Sequence, residues 1–306
     1  MAYLALMQSS SATHLSGNLM TTLLIMMLPV IFGTELLAQK KGETSYFKVA
    51  DIKYSQKAKD PRLNSLDIYM PRKGSKSPVI VWIHGGVWTF GDKSDVDSKP
   101  EYFTSKGYIF ISVNHRLSPD ARFPAHVQDV ADAMVWIHNN LVDYSGDPSK
   151  IFLMGYASGA HLAALVSLNE HLLREAGGSL SMIKGVVLLD GVGFDMVSTM
   201  PDAVSKVREW CIDTFGDSPN NWADASPVSY VKAGSIAPPH LIIYAGTKSP
   251  TEKDALLLSK KLSEAGIKNK VMNYSKKNNL SINKELGKEE DKVAEDILVF
   301  LHECQR

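Results

Sequence analysis

The segment Gly155-Tyr156-Ala157-Ser158-Gly159 has the spacing of a Gly-x-Ser-x-Gly turn, with alanine where the serine belongs. In such a turn a strand passes sharply into a helix, and the central side chain stands exposed as a nucleophile for acyl transfer. An alanine methyl cannot attack a carbonyl. The serine here, Ser158, is one place late, where the side chain turns away and only the backbone N–H faces the reacting centre. Upstream, His84-Gly85-Gly86 closes an apolar run, and glycine there lets the backbone approach a ligand closely. The residue types set out acyl-transfer chemistry with its nucleophile missing.

The elements that must hold these residues are legible from periodicity. Tyr46–Tyr54 and Leu63–Tyr69 alternate as strands do, with a Lys/Asp-rich turn between them. Pro78–His84 and Gly107–Asn114 are continuous apolar runs, the pattern of strands buried on both faces of a parallel sheet. Ile151–Met154, Ile183–Leu189, Leu241–Ala245 and Val271–Tyr274 add four more strands. Helical spacing covers Pro124–Leu141, Ala160–Leu173, Lys253–Ala265 and Asp291–His302. Strands alternating with helices predict an α/β fold, a doubly wound, mostly parallel sheet, in one domain over residues 45–306. The stretch 191–239 is irregular and rich in Trp, Pro and Asp, and is expected to form a small cap or lid over the ligand-binding edge of the sheet. Trp88, Phe90, Trp210 and Trp222 are candidate pocket or lid aromatics, although core packing accounts for each nearly as well.

Composition narrows the class. Lys+Arg and Asp+Glu number 33 each, a balance that argues against nucleic acid as a partner and against a polybasic membrane surface. Cys211 and Cys304 make neither a disulfide framework nor a metal motif. No His/Asp/Glu group has ligand spacing, so neither metal nor cofactor is expected. Residues 1–38 read as a signal peptide, with an apolar stretch from Leu19 to Phe32 and a small residue, Ala38, at the cleavage point. That predicts a periplasmic or secreted protein. The stretch is too short for a comfortable membrane span. Residues 1–34 contain no Lys or Arg, so the basic start of a signal is missing, and an uncleaved N-terminal tether is the alternative. Nothing in the sequence sets the oligomeric state.

Taken in order, several motifs resemble the α/β-hydrolase superfamily in its HGG-type esterase branch, similar to feruloyl-esterase-like proteins and kynurenine formamidases. They are Trp82-Ile83-His84-Gly85-Gly86-Val87-Trp88, Gly91-Asp92-Lys93-Ser94, Asn114-His115-Arg116-Leu117-Ser118-Pro119, Asp129-Val130-Ala131-Asp132-Ala133, Gly155–Leu165 and Ser281–Gly287. The resemblance covers about residues 45–303. It implies an oxyanion hole built from the backbone N–H groups of Gly86, Val87 and Ser158, with His84, Gly85 and Trp88 lining the pocket. It also implies a chain order of nucleophile, acid, base. The nucleophile slot falls on Ala157. Counting back from Ser281-Ile282-Asn283 puts the base slot on Asn279, and no histidine lies between His240 and His302. The acid slot, after the strand Leu241–Ala245, falls on Thr247.

These slots predict a catalytically impaired pseudo-hydrolase that keeps a pocket for a small ester-like ligand. Two alternatives stand beside it. One is an active serine-type carboxylesterase with an atypical or relocated triad. The other is an engineered inactive variant, which a lone Ser→Ala change would fit better than three vacated slots do.

Overall fold

Eight strands carry the fold: β1 (Tyr46–Lys53), β2 (Ser65–Pro71), β3 (Ser77–Ile83), β4 (Ile109–Val113), β5 (Gly146–Tyr156), β6 (Gly185–Leu189), β7 (His240–Ala245) and β8 (Asn269–Tyr274). The computed structural model describes residues 45–306, so the expected signal at 1–38 lies outside the described residues. The strands form one sheet in the order β1-β2-β4-β3-β5-β6-β7-β8. β2 runs antiparallel to both β1 and β4, and the pairings from β4 through β8 are parallel. The runs read as continuously apolar sit inside the sheet: every residue of β4, β6 and β7 is buried. The outermost strands, β1 and β8, are largely exposed or half-buried.

Alternation along each strand divides the core into two layers. Val79, Val81 and Ile83 of β3 point to one face, packed with α2 (Ala125–Asn140), α3 (Ser158–Leu168) and α8 (Pro250–Glu264). Ile80 and Trp82 point to the other, packed with α1 (Lys99–Ser105), α9 (Asn279–Lys284) and α10 (Lys292–Cys304). Every residue of α3 is buried, as its all-round apolar sequence requires. The expected helix Ala160–Leu173 is in fact two, α3 and α4 (Glu170–Glu175). Asn169 breaks it at φ −99° and ψ 89°, and its side chain accepts from the His171 N–H to start the second helix.

The stretch 191–239 holds three short helices, α5 (Met196–Thr199), α6 (Ser205–Phe215) and α7 (Pro219–Asp224). Cys211, Phe215, Trp222 and Ala225 pack into the layer around α3. No helix among the described residues is long and apolar enough to cross a membrane.

Candidate active site

Ala157 lies where β5 ends and α3 begins, at φ 50° and ψ −115°. That region is costly for any residue with a Cβ, by about 1–3 kcal/mol. Two backbone bonds hold it: the Ala157 N–H donates to Leu189 O at 3.0 Å, and the His161 N–H donates to Ala157 O at 3.2 Å. The flanking glycines are sterically required. A Cβ on Gly155 would strike the Gly159 carbonyl, and one on Gly159 would strike the carbonyls of Ile83 and His84. The elbow is therefore wedged directly against the end of β3. Ser158 is the first residue of α3 and is 3% exposed.

The loop after β3 has three consecutive residues at positive φ: Gly86 (124°), Val87 (47°) and Trp88 (59°). Gly86 O closes the turn by accepting from the N–H groups of Thr89 (3.0 Å) and Phe90 (2.8 Å). A Cβ on Gly86 would meet the Phe90 carbonyl, and one on Gly91 would meet the His84 ring. His84 is buried; its Nδ1–H donates to Gly85 O at 2.8 Å, and its ring stacks on His115 with centroids 4.6 Å apart. Burial lowers the pKa of both rings.

Trp88 is less a pocket wall than a bracket. It is 3% exposed, packs edge-on against Phe215 at 4.9 Å, and donates Nε1–H to His161 Nδ1 at 3.2 Å. His161 in turn donates Nε2–H to Ala225 O at 2.7 Å. These two bonds suit one neutral tautomer, and burial pushes the imidazole pKa down to about 4. His161 thus ties α3 to the 191–239 segment. Of the other aromatics expected around a pocket, Trp222 is buried, whereas Phe90 is 58% exposed. The remaining motif residues are scaffolding: Asn114 bridges Asp92 and the Lys93 N–H, and Arg116 forks onto Asp129 at 2.7 and 2.8 Å.

Asn279 is the first residue of α9, which a reciprocal Asn278–Ser281 capping box starts. Its Nδ2 donates to Asp190 Oδ2 at 2.6 Å, and its Oδ1 accepts from the Tyr156 hydroxyl at 2.7 Å. Tyr156 precedes Ala157, so Asn279 is hydrogen-bonded to the elbow's own neighbour. Burial, then the Asp190 carboxylate, pushes the Tyr156 phenol up to about 12, which keeps it a donor. Asp190 follows β6, is 1% exposed, and accepts through Oδ1 from the Ala245 N–H (3.0 Å) and the Thr251 hydroxyl (2.7 Å).

Thr247, which the sequence marks as the acid slot, makes no hydrogen bond to Asn279. Thr247 is exposed in the bend after β7. The carboxylate on Asn279 is Asp190, one strand earlier along the chain. Glu252 turns back to the Lys248 N–H and Asp254 accepts from the Gly193 N–H, so neither replaces it. The sequence signal for Asp190 was a charged residue ending the fully apolar strand β6, where burial demands partners. Tyr156 had no signal beyond its place in the turn. Among the described residues no group of three or more His, Cys, Asp and Glu is placed to hold a metal ion.

Residues 66–262 match the BD-FAE family. Esterase LipQ of Mycobacterium tuberculosis is 31% identical over 214 residues, which cover 66% of this chain and 49% of that protein. An isoprenylcysteine alpha-carbonyl methylesterase of Arabidopsis thaliana is 30% identical over 138 residues, covering 45% of this chain and 32% of its own length. The chain thus spans about half the length of the Mycobacterium relative, or less in the plant case. Among solved structures, esterase B of Lactobacillus rhamnosis superposes with a TM-score of 0.71 at 20% identity, covering 90% of this chain and 91% of that one. A truncated carbohydrate esterase from gut microbiota gives 0.72 at 22% identity, covering 86% and 98%. These likenesses establish the α/β-hydrolase fold.

Proposed function

The chain belongs to the BD-FAE family, in the esterase branch of the α/β-hydrolases, and from that premise we propose that it is a catalytically impaired pseudo-hydrolase which keeps a site for a small ester-like ligand. The observation that carries this reading is Ala157 in the strained elbow conformation. Acyl transfer on this fold needs a hydroxyl at that point, an imidazole to take its proton and a carboxylate to orient the imidazole. A methyl group offers no lone pair. The amide at Asn279 is no base near neutral pH, and its Nδ2–H is already committed to Asp190. A carboxylate, Asp190, does meet residue 279, but the group it holds there is an amide.

The backbone N–H groups of Gly86, Val87 and Ser158 need no particular side chain to act as oxyanion donors. They are the part of the machinery that survives loss of the nucleophile, and such donors are worth about 3–4 kcal/mol each in active enzymes. The 191–239 segment serves as the cap in this reading.

The test is a panel of short-chain p-nitrophenyl esters with fluorophosphonate labelling on the same preparation. No turnover above background and no covalent adduct are expected. Turnover that copurifies with the protein and is lost on altering the Gly85–Gly86 loop would overturn the reading in favour of a relocated triad.

A further inference from the structure

We propose that a recess of about 380 Å³ between the start of β8 and the last turn of α10 binds a small organic carboxylate, an anionic head on an aryl or short alkyl body. Its lining includes Pro239, Lys268, Lys270, Phe300, Glu303 and Cys304. The strands from β5 to β8 run parallel, so the recess sits at the edge where they start and the elbow at the edge where they end. Binding here is independent of whether the elbow reacts.

Strand alternation places the two lysines. Met272 and Tyr274 of β8 pack into the layer that α10 covers. Lys270 shares their face, and Lys268 falls on the same side two residues earlier. Asn269, between them, turns to Ser259 and Ser263 of α8 on the other face. The opposite wall is α10. A Cβ on Gly185 would come within 3.1 Å of Cys304 Sγ and 3.4 Å of Phe300, so the end of this helix lies tight on the start of β6. Lys184 precedes that glycine. Burial, then Glu303, pushes the Cys304 thiol up to about 11, while Lys184 and Lys268 pull it back, so both ammonium groups lie near the thiol.

Charge and surface together choose the ligand. Among the described residues Lys184, Lys268 and Lys270 form no ion pair. Asp296, on which Lys270 acts from a distance, already holds Lys292 and the Tyr274 hydroxyl. Against the three lysines stand Glu303 and the carbonyl end of α10, the latter worth roughly half a negative charge. Positive charge is left over, in a chain whose 33 basic and 33 acidic residues balance. The inner wall is more apolar than polar, with Pro239 and Phe300 in it and lysine stems beside them to cover an apolar body. A carboxylate on such a body meets both demands. Inorganic phosphate has no body to bury, and an ammonium meets like charge. The volume falls in the range of small-molecule pockets, about 300–1,000 Å³.

The test is calorimetry and ligand-observed NMR on the purified protein at low ionic strength, with benzoate and hexanoate as probes. Benzyl alcohol, benzylammonium and inorganic phosphate are the controls. Saturable binding of at least one carboxylate is expected, with a Kd of about 1 mM or tighter and at least tenfold tighter than any control. Added salt should weaken it, because exposed charges are screened. The double variant Lys268→Gln, Lys270→Gln is expected to weaken it at least tenfold, with the thermal midpoint within a few degrees, since both positions are exposed. Lys53→Gln, on the far edge strand β1, should leave it unchanged. No saturable binding up to about 10 mM would overturn the proposal. Carboxylate binding that survives the double variant would do the same, as would equal binding of benzyl alcohol or of phosphate.

Discussion

At the elbow, Gly155, Ala157 and Gly159 hold a backbone shape that acyl transfer would use, around a side chain that cannot perform it. At the facing slots the balance is reversed. The polar pairing is intact, with Asp190, Asn279 and Tyr156 bonded at 2.6 and 2.7 Å, but an amide stands where an imidazole would be. The first region is held by close backbone packing, which tolerates any small central side chain. The second is held by side-chain hydrogen bonds in which Asn279 donates to Asp190 and accepts from Tyr156. Neither region depends on a reactive side chain for its structure.

The largest effect should come from refilling both regions together. Ala157→Ser with Asn279→His should hydrolyse short activated esters far above either single variant, because the two groups act as a unit. If Asp190 is the acid, Asp190→Asn in that background should remove most of the gain, up to about 10⁴-fold. Thr247→Asp should add little. A gain that ignores Asp190 but depends on Asp at 247 would reverse the assignment.

The packing of the elbow can be broken alone. Gly159→Ala should destabilise by about 3 kcal/mol, the upper end of overpacking costs, because the new methyl meets backbone on β3 rather than a movable side chain. Chemical denaturation would measure it. A change below about 0.5 kcal/mol, within the range of ordinary surface substitutions, would mean that the elbow is not wedged as described.

Acid should weaken the fold through its buried imidazoles. Burial pushes His161 and His240 down to about 4 and His126 to about 3, from 6.5 in the unfolded chain. The folded state refuses protons that the unfolded chain accepts below pH 6.5, so this stability is present above 6.5 and is lost as pH falls toward 4. Asp254 has the opposite sign: burial raises it to about 6, so its contribution is present below about 4 and is lost as pH rises through 6. His161→Gln should make the decline between pH 6.5 and 4.5 shallower by about 2 kcal/mol. Unfolding midpoints across that range with an unchanged slope would exclude His161 as a source.

The smallest effect is expected at Tyr156→Phe, which removes the hydroxyl shared between Asn279 Oδ1 (2.7 Å) and the Asn279 carbonyl (2.9 Å) and should cost about 1 kcal/mol. In the Ala157→Ser, Asn279→His background the same change should alter activity far less than Asp190→Asn does. Equal losses would show that the phenol and the carboxylate position residue 279 jointly.

The sequence by itself determined the sheet and the glycine-flanked turn at Ala157. Apolar runs and glycines report on their own neighbourhood: β4, β6 and β7 had to be buried strands, and Gly155 and Gly159 had to flank a close approach. Short helices without a long apolar stripe, α1 and α9, were not legible, and the α3–α4 break at Asn169 was hidden inside a continuous helical pattern. Only the tertiary structure decided which carboxylate meets Asn279. Asp190 lies 89 positions away, and Thr247 was nearer the expected order along the chain. A hydrogen bond depends on where two strand ends stand in the sheet, and chain order alone does not encode that. The same holds for Trp88, whose sequence context fits a pocket wall and whose indole N–H is instead committed to His161 in the core.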